Sequence, residues 1–177
     1  DIDGGTSSTT VAGGSNLTMD GGTGDDTLRN YQGQNVLMAG GTGNDSLNNV
    51  NANSVTVDGG TGNDKVFNYY GDNVSISGGS GDDTFETYLG QYVTISGGAG
   101  ADYISNEGDN ATISGDAGND TVINKGRYVS IDGGSGADSI ENYCGASATI
   151  SGGADDDSIY NEGSQVSISG GAGADSI

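Results

Sequence analysis

Apolar and polar residues alternate in short segments that return along the whole chain. In Val74-Ser75-Ile76-Ser77, and again in Val93-Thr94-Ile95-Ser96, every second residue is apolar. Segments of a second kind, such as Asp64-Lys65-Val66-Phe67-Asn68, follow a glycine-rich stretch. Because successive side chains of a β-strand point to opposite faces, both kinds predict strands that turn one face inward. No segment predicts a helix, so the expected fold is all-β.

The inward positions of these strands form three rows. One apolar row contains Leu28, Leu47, Val66, Phe85, Ile104, Val122, Ile140 and Ile159. The other contains Met19, Met38, Val57, Ile76, Ile95, Ile113, Ile131, Ile150 and Ile168. A polar row contains Asn30, Asn49, Asn68, Asn106, Asn124, Asn142 and Asn161, with Thr87 as the exception. We expect a hydrophobic core from the first two rows and a hydrogen-bonded ladder in a turn from the third.

A glycine-rich motif marks each repeat unit. Its first glycine lies at Gly4, Gly21, Gly40, Gly59, Gly78, Gly97, Gly115, Gly133, Gly152 and Gly170. The spacing is 18 or 19 residues after a first interval of 17, and a regular period in this range is typical of solenoid proteins. The shorter units have lost one residue just before a second, later glycine, which indicates a surface loop where a deletion costs little.

The repeat predicts one coil per unit, built as strand, turn, strand and turn. We predict a right-handed parallel β-solenoid, or β-roll, of about nine coils over residues 1–177, with residues 1–20 as an atypical first coil. Coils stacked about 4.8 Å apart would form a rod of roughly 40–45 Å, and stacking would supply the stability that a single thin coil lacks. The final unit stops at Ile177, so we expect a segment of a longer array. A β-sandwich is disfavoured because its strands would not repeat in sequence.

One aspartate follows the marker glycine by five residues in every unit from Gly21 onward. These residues are Asp26, Asp45, Asp64, Asp83, Asp102, Asp120, Asp138, Asp157 and Asp175. The position before each of them varies among Asp, Asn and Ala, so we expect it to contribute mainly backbone. In a stacked row, adjacent carboxylates would repel each other by roughly 1 kcal/mol even in bulk water. The row therefore needs a counter-charge.

The chain has too few basic residues to supply that charge. It carries 25 Asp and Glu residues and four basic ones, Arg29, Lys65, Lys125 and Arg127, for a net charge of −21. It has no His, and hard oxygen ligands without His or thiolate favour calcium over zinc or copper. We predict about eight Ca²⁺ ions between successive coils, held by the nine aspartates and by backbone carbonyls of the adjacent glycine-rich turns.

The composition of the chain limits its possible partners and functions. With 36 Gly residues and this acidity, the chain would be classed as disordered if its pattern were ignored. The negative charge argues against nucleic acid and anionic membranes as partners, and no apolar run is long enough to cross a bilayer. Without His, and without a clustered nucleophile and base, the usual acyl-transfer sites are absent, so we do not expect an enzyme. Cys144, the single cysteine, can form no internal disulfide and is interpreted as incidental, the alternative being an intermolecular disulfide.

The segment Gly59-Gly60-Thr61-Gly62-Asn63-Asp64-Lys65-Val66-Phe67 resembles the nonapeptide GGxGxDxUx of the RTX, or hemolysin-type, calcium-binding repeats. The resemblance covers nearly the whole chain. It implies a β-roll in which aspartates and turn carbonyls ligate calcium, in a secreted protein of bacterial type that folds on meeting external calcium. Usual RTX tracts repeat the nonapeptide in both half-turns, whereas this chain carries it in one, so we expect calcium along one edge only. Asp116 and Asp155 replace turn glycines, and the opening unit at 4–9 lacks the aspartate and is not expected to bind an ion.

Two functions stay open at this point. The first is a rigid secreted spacer or scaffold in a surface protein, adhesin or extracellular filament, with end-to-end self-association or a cell-surface or glycan partner. The second is a ligand-binding surface for ice or glycans on a calcium-stabilised solenoid. An outward row of hydroxyls, interrupted by Leu37, suits an ice-binding face, and the GTGND turns at 41–45 and 60–64 resemble those of RTX-like antifreeze rods. The row consists of Thr18, Thr56, Ser75, Thr94, Thr112, Ser130, Thr149 and Ser167.

Four tyrosines share the position after the asparagine row. They are Tyr31, Tyr69, Tyr88 and Tyr143. They could stack on sugar rings or pack against a neighbouring rod. Other units carry Val50, Glu107, Lys125 or Glu162 in the same place, which favours simple packing in the turn.

Overall fold

The alternating segments form parallel strands in the computed structural model, which describes residues 6–143 and 146–177. This part of the chain contains no helix, as the pattern predicted. It accordingly has no helix that could cross a bilayer. The predicted opening turn at Gly4 and Gly5, the late glycine Gly145, and Cys144 lie outside the described residues.

The strands, numbered in chain order, alternate between two sheets. The odd sheet consists of β1 (Ser8–Ala12), β3 (Thr27–Tyr31), β5 (Ser46–Val50), β7 (Lys65–Tyr69), β9 (Thr84–Tyr88), β11 (Tyr103–Asn106), β13 (Thr121–Asn124), β15 (Ser139–Asn142) and β17 (Ser158–Asn161). The even sheet consists of β2 (Ser15–Thr23), β4 (Gln34–Thr42), β6 (Thr56–Thr61), β8 (Ser75–Ser80), β10 (Thr94–Ala99), β12 (Thr112–Ala117), β14 (Ser130–Ser135), β16 (Thr149–Ala154) and β18 (Ser167–Ala172). Each strand pairs with the strand two places away in the chain, which confirms a parallel solenoid of about nine coils.

Equivalent residues of successive coils lie side by side. Ile95 of β10 pairs with Ile76 of β8 on one side and with Ile113 of β12 on the other. A shift of one residue would turn every apolar side chain to the outer face, so the repeated pattern itself specifies the register. The rows read from the sequence are therefore true ladders that run along the axis of the rod.

The core lies between the two sheets and is built from the predicted apolar rows. Every member of both rows is buried, except that Ile168 in the last strand is only partly buried. The structure adds a third apolar row, whose members lie within β4 or directly before the even strands from β6 to β16. It consists of Val36, Val55, Val74, Val93, Ala111, Val129 and Ala148. Each coil is thus closed around a thin apolar layer that is covered by the layers above and below.

Two kinds of turn connect the sheets. The turns from each even strand to the next strand, such as residues 62–64, contain the repeated aspartates, and we call this side the aspartate edge. The turns from each odd strand to the next, such as residues 70–74, follow the asparagine row, and we call this side the asparagine edge. The two edges lie on opposite sides of the coil.

The asparagine row forms the predicted ladder. Asn49 donates from its amide to Oδ1 of Asn68 at 2.7 Å, and Asn106 donates to Oδ1 of Asn124 at 2.8 Å. The amides of Asn30, Asn49, Asn68, Asn106, Asn124 and Asn161 also close their own turns by donating to a carbonyl oxygen, three residues on in a long unit (Asn49 to Ala52) and two residues on in a short one (Asn124 to Gly126). The short units are therefore one residue shorter in this turn, which is where the spacing predicted the deletion.

Candidate metal centre

The nine predicted aspartates lie in one row along the aspartate edge. The eight from Asp26 to Asp157 are at most 3% exposed, and Asp175 in the last coil is half-buried. The backbone of the glycine-rich turn directs these side chains toward the interior of the coil. Because charged groups are rarely buried without a partner, the row is the feature of the molecule that most needs an explanation.

A ladder of hydrogen bonds orients the carboxylates. The main-chain N–H of Asp45 donates to Oδ1 of Asp64 at 2.7 Å, and the N–H of Asp64 donates to Oδ1 of Asp83 at 2.7 Å. The same bond recurs between every pair of neighbouring coils, from Ser7 donating to Asp26 up to Asp157 donating to Asp175. Each carboxylate therefore satisfies one donor of the preceding coil, and its plane is fixed by that bond.

In eight of the nine carboxylates the second oxygen is buried and has no hydrogen-bond partner. This applies to Oδ2 of Asp26, Asp45, Asp64, Asp83, Asp102, Asp120, Asp138 and Asp157. A single unsatisfied buried acceptor costs about 1–3 kcal/mol, and more when it is charged. One unpaired oxygen at the same place in eight successive coils indicates a position for a cation or a proton.

The marker glycines leave space beside these oxygens. A Cβ atom built on Gly59 would lie 2.5 Å from Oδ2 of Asp64 and 2.6 Å from the carbonyl oxygen of Gly78 in the next coil. The same pair of oxygens, one carboxylate and one glycine carbonyl of the next coil, surrounds each marker glycine from Gly21 to Gly152. A side chain at this position would displace both oxygens, so each of these turns requires glycine here.

Burial is the main perturbation of these acids. It raises the pKa of Asp83 and of Asp120 to about 7, and the pKa of Asp64 and of Asp138 to about 6, from an ordinary value of 3.8. The backbone N–H of the preceding coil opposes this shift, while neighbouring carboxylates add to it. At these four positions a buried negative charge is therefore costly, and a proton or a cation beside the carboxylate would relieve that cost.

The available ligands fit calcium. Among residues 6–143 and 146–177, no three Asp, Glu, His or Cys side chains gather around one point, so a metal would need main-chain oxygens as well. Ca²⁺ takes six to eight oxygens, including backbone carbonyls, in flexible geometry. The carboxylates and glycine carbonyls of the aspartate edge supply oxygens of both kinds from two successive coils. The soft ligands that zinc or copper prefer are not part of these turns.

A second ladder on the same edge was missed by the sequence reasoning. The position before each repeated aspartate was expected to contribute mainly backbone, but its side chain accepts a hydrogen bond when it is Asp or Asn. The N–H of Asn63 donates to Oδ1 of Asn44 at 2.7 Å, and the N–H of Ala101 donates to Oδ1 of Asp82 at 2.8 Å. The recurrence of Asp and Asn at this position was the available signal.

The two replaced glycines keep the conformation of the turn. Asp116 and Asp155 have φ angles of 73° and 80°, in the left-handed region where the equivalent Gly98 and Gly136 also lie. Aspartate tolerates this region better than most residues because its short side chain can hydrogen-bond locally. Asp116 does so with the hydroxyl groups of Ser96 and Ser114.

Comparison with known protein families gives a match that includes the same turns. The family model for the RTX calcium-binding nonapeptide repeat (4 copies) matches residues 70–93, 90–113 and 148–163. These segments of the chain carry RTX calcium-binding repeats. The resemblance read from the sequence is thereby confirmed, and the matched segments contain the turns of Asp83, Asp102 and Asp157.

The match supports a calcium-binding repeat module. The module is built as a β-solenoid, which is a structural repeat fold. RTX repeats are typically found in secreted bacterial proteins. No curated protein and no solved structure matches the chain significantly.

Proposed function

We propose that this RTX solenoid is a rigid secreted spacer that assembles when calcium fills the aspartate edge. The proposed ligands are the nine aspartates from Asp26 to Asp175, together with main-chain carbonyls of the adjacent turns. The observation that carries the proposal is the unpartnered Oδ2 atom, which is buried at the same place in eight successive coils. Nine aspartates leave eight gaps between coils, so about eight ions would neutralise most of the formal charge of −21.

The aspartate edge is the only edge to which we assign calcium. On the asparagine edge, the inward polar groups are amides that already bond to one another and to turn carbonyls. Their charge is zero, and a cation there would have to displace existing hydrogen bonds. Calcium along a single edge therefore distinguishes this solenoid from RTX tracts with the nonapeptide in both half-turns.

A spacer role follows from how the coils are joined. Both sheets run continuously along the axis, and two side-chain ladders on the aspartate edge and one on the asparagine edge reinforce them. Bending the rod would strain several of these ladders at once. The ions proposed between coils would add electrostatic links along the same axis. Outside the cell, where calcium is abundant, the rod would be folded and stiff, and inside the cell it would stay unfolded.

The ligand assignment is tested by two neighbouring substitutions that remove the same charge. Asp83→Asn changes a proposed ligand, whereas Asp82→Asn changes its exposed neighbour to the residue that Asn63 already provides in the adjacent coil. Calorimetric titration of the metal-free chain with calcium should show a lower ion count for Asp83→Asn and an unchanged count for Asp82→Asn. Equal counts for both variants and the parent would contradict the assignment.

The spacer role is tested by the shape of the molecule in solution. Small-angle X-ray scattering should give a compact rod with calcium and an expanded coil after chelation, with circular dichroism changing from β-structure to coil in parallel. A chain that keeps the same dimensions and spectrum without calcium would contradict a role that depends on calcium for rigidity.

A further inference from the structure

Four bulky residues on the asparagine edge adopt a backbone conformation that such residues rarely take. Tyr70, Leu89, Tyr92 and Tyr128 have φ angles of 59°, 56°, 56° and 58°. Positive φ is uncommon outside glycine and is best tolerated by asparagine and aspartate. For a tyrosine it is a strained choice, and strain of this kind is concentrated at functional sites.

Other coils carry residues at the same positions that tolerate this conformation better. The row of Tyr92 and Tyr128 contains Asn73 and Asn110, with φ angles of 55° and 57°. The row of Tyr70 and Leu89 contains Asn51, with a φ angle of 52°. The turn itself therefore does not require an aromatic residue. The tyrosines are present although a better-suited residue is used one coil away.

The side chains of these residues point into solvent. Leu89 is 54% exposed, Tyr92 58% and Tyr128 59%, and Tyr70 is 50% exposed beside Tyr88 at 40%. The rings of Tyr70 and Tyr88 meet edge to face with centroids 5.6 Å apart, which holds both of them in place. We call these five residues the aromatic patch. They do not contribute to the core, so packing does not explain them.

The aromatic patch extends along the axis of the rod. The N–H of Tyr70 donates to the carbonyl of Tyr88, so these residues belong to successive coils. The N–H of Tyr92 donates to the carbonyl of Asp109, and Asn110 donates in turn to Arg127, which places Tyr128 two coils beyond Tyr92. Four coils at the strand spacing span about 15 Å. A ligand that contacts all of the patch must therefore be elongated.

The charge around the patch differs from that of the rest of the rod. All four basic residues, all four glutamates, and Asp72 and Asp109 lie on the outer face of the odd sheet or on the asparagine edge. The other described aspartates lie on the aspartate edge or in the even sheet. The side that carries the tyrosines is thus nearly neutral, with six acidic and four basic side chains. It offers no basic surface to a nucleic acid or an anionic lipid, and no acidic surface to a strongly cationic partner.

The size of the patch argues against a second copy of the chain. Five half-exposed side chains of this kind offer about 500 Å² of surface. A stable protein–protein interface needs about 800 Å² from each partner. The largest exposed apolar patch on a typical monomer measures about 300–600 Å², and such a patch is often functional. The patch is therefore better matched to a narrow ligand than to another rod.

The polar groups beside the rings indicate the chemistry of that ligand. Asn73 and Gln91 are exposed next to Tyr70, Leu89 and Tyr92, and their amides can both donate and accept hydrogen bonds. A sugar ring has an apolar C–H face that packs on an aromatic ring and hydroxyl groups that bond to amides at its edge. Tyrosine combines an apolar body with a hydroxyl group in the same way. We propose that the aromatic patch binds an uncharged linear polysaccharide along the axis of the rod.

The proposal is tested with the calcium-loaded full chain by affinity electrophoresis in gels that contain hydroxyethylcellulose, xyloglucan, galactomannan, laminarin or amylopectin. We expect retardation by at least one of these polysaccharides. The triple variant Tyr70→Asn, Tyr92→Asn and Tyr128→Asn should bind at least about ten-fold more weakly, because each aromatic contact contributes to affinity. Its folding should be unharmed, since Asn51, Asn73 and Asn110 occupy the same rows. Thermal melts in calcium would confirm this.

A tyrosine outside the patch supplies the control. Tyr103 is 39% exposed on the outer face of the odd sheet and lies in register with Thr84 and Thr121, so Tyr103→Thr should bind like the parent. Failure of all five polysaccharides to retard the parent would overturn the proposal. Equal retardation of the triple variant, or a loss of binding in Tyr103→Thr, would also overturn it. If sedimentation velocity instead showed self-association that the triple variant abolished, the patch would be a contact between rods.

Discussion

The main-chain N–H of Asp64 donates a 2.7 Å hydrogen bond to Oδ1 of Asp83 in the next coil and leaves the other oxygen of Asp83 buried without a partner. One half of each carboxylate is therefore a structural acceptor, and the other half is free for a cation. The hydrogen bond between coils and the binding of a cation therefore depend on different oxygens of the same side chain. An asparagine in this position can keep the hydrogen bond through its amide oxygen while it removes the negative charge that would hold the cation.

Asp83→Asn is accordingly expected to change stability in opposite directions with and without calcium. In the metal-free protein the substitution removes a buried charge, so the amount of β-structure seen by circular dichroism should stay the same or rise. In saturating calcium it removes a proposed ligand, so the melting temperature should fall below that of the parent. Circular dichroism spectra without calcium and thermal melts in saturating calcium test the reversal. A decrease in both conditions would show that the charge stabilises the fold without calcium.

Acid should partly replace calcium in the metal-free protein. Burial raises the pKa of Asp83 to about 7 and that of Asp64 to about 6, against 3.8 in the unfolded chain. Between about pH 4 and pH 7 the folded state therefore binds more protons than the unfolded state, and its stability falls as the pH rises. We expect metal-stripped protein to show more β-structure by circular dichroism at pH 5 than at pH 8. Added calcium should increase the β-structure more at pH 8, where protons compete less.

Gly59→Ala should weaken calcium binding through lost space. The added Cβ would lie 2.5 Å from Oδ2 of Asp64 and 2.6 Å from the carbonyl oxygen of Gly78, so both oxygens would have to move. Thr61→Ala in the same turn is the matched control, because Ala99 occupies that position two coils away. Calorimetry should show a reduced ion count for Gly59→Ala only. A full count in Gly59→Ala would place the ion elsewhere in the turn.

The asparagine ladder should be improved by filling its one irregular position. Thr87 donates to Oδ1 of Asn106 but has no amide, whereas the other members of the row join neighbouring coils through amides. Thr87→Asn would supply both a donor and an acceptor beside Asn68, and we expect a gain of about 0.5–1.5 kcal/mol in the free energy of unfolding. Chemical denaturation in calcium measures it. Asn106→Ala, which leaves buried groups unpaired, should cost about 1–3 kcal/mol in the same assay.

Much of this architecture could be predicted because each coil repeats the same choices. The inward position of Ile95 is ambiguous in isolation, but its equivalents Ile76 and Ile113 make the face and the register plain. The aspartate row was equally visible, since Asp83 and its counterparts never change while the preceding residue does. In a solenoid each structurally required residue recurs in several coils. Positions that need a particular residue can therefore be distinguished from positions that vary.

Features that depend on the path of the backbone could not be predicted in this way. The sequence does not reveal that the N–H of Asp64 bonds to the carboxylate of the following coil, or that Asn44 accepts from Asn63 in the opposite direction along the rod. The left-handed conformation of Tyr92 was also hidden, because tyrosine is not a residue that suggests positive φ. Only its register with Asn73 and Asn110, both good residues for this conformation, contained a hint.

The in-register stacking of equivalent residues has a consequence for how such a molecule can change. Since Ile95 meets an identical residue on each side, Ile76 in one neighbouring coil and Ile113 in the other, a whole unit can be removed or duplicated and the cut surfaces will still match. The length of the solenoid can then change by one coil at a time, while the contacts between the remaining coils stay the same. Recombination within a gene that encodes this chain could therefore shorten or lengthen the solenoid by whole coils.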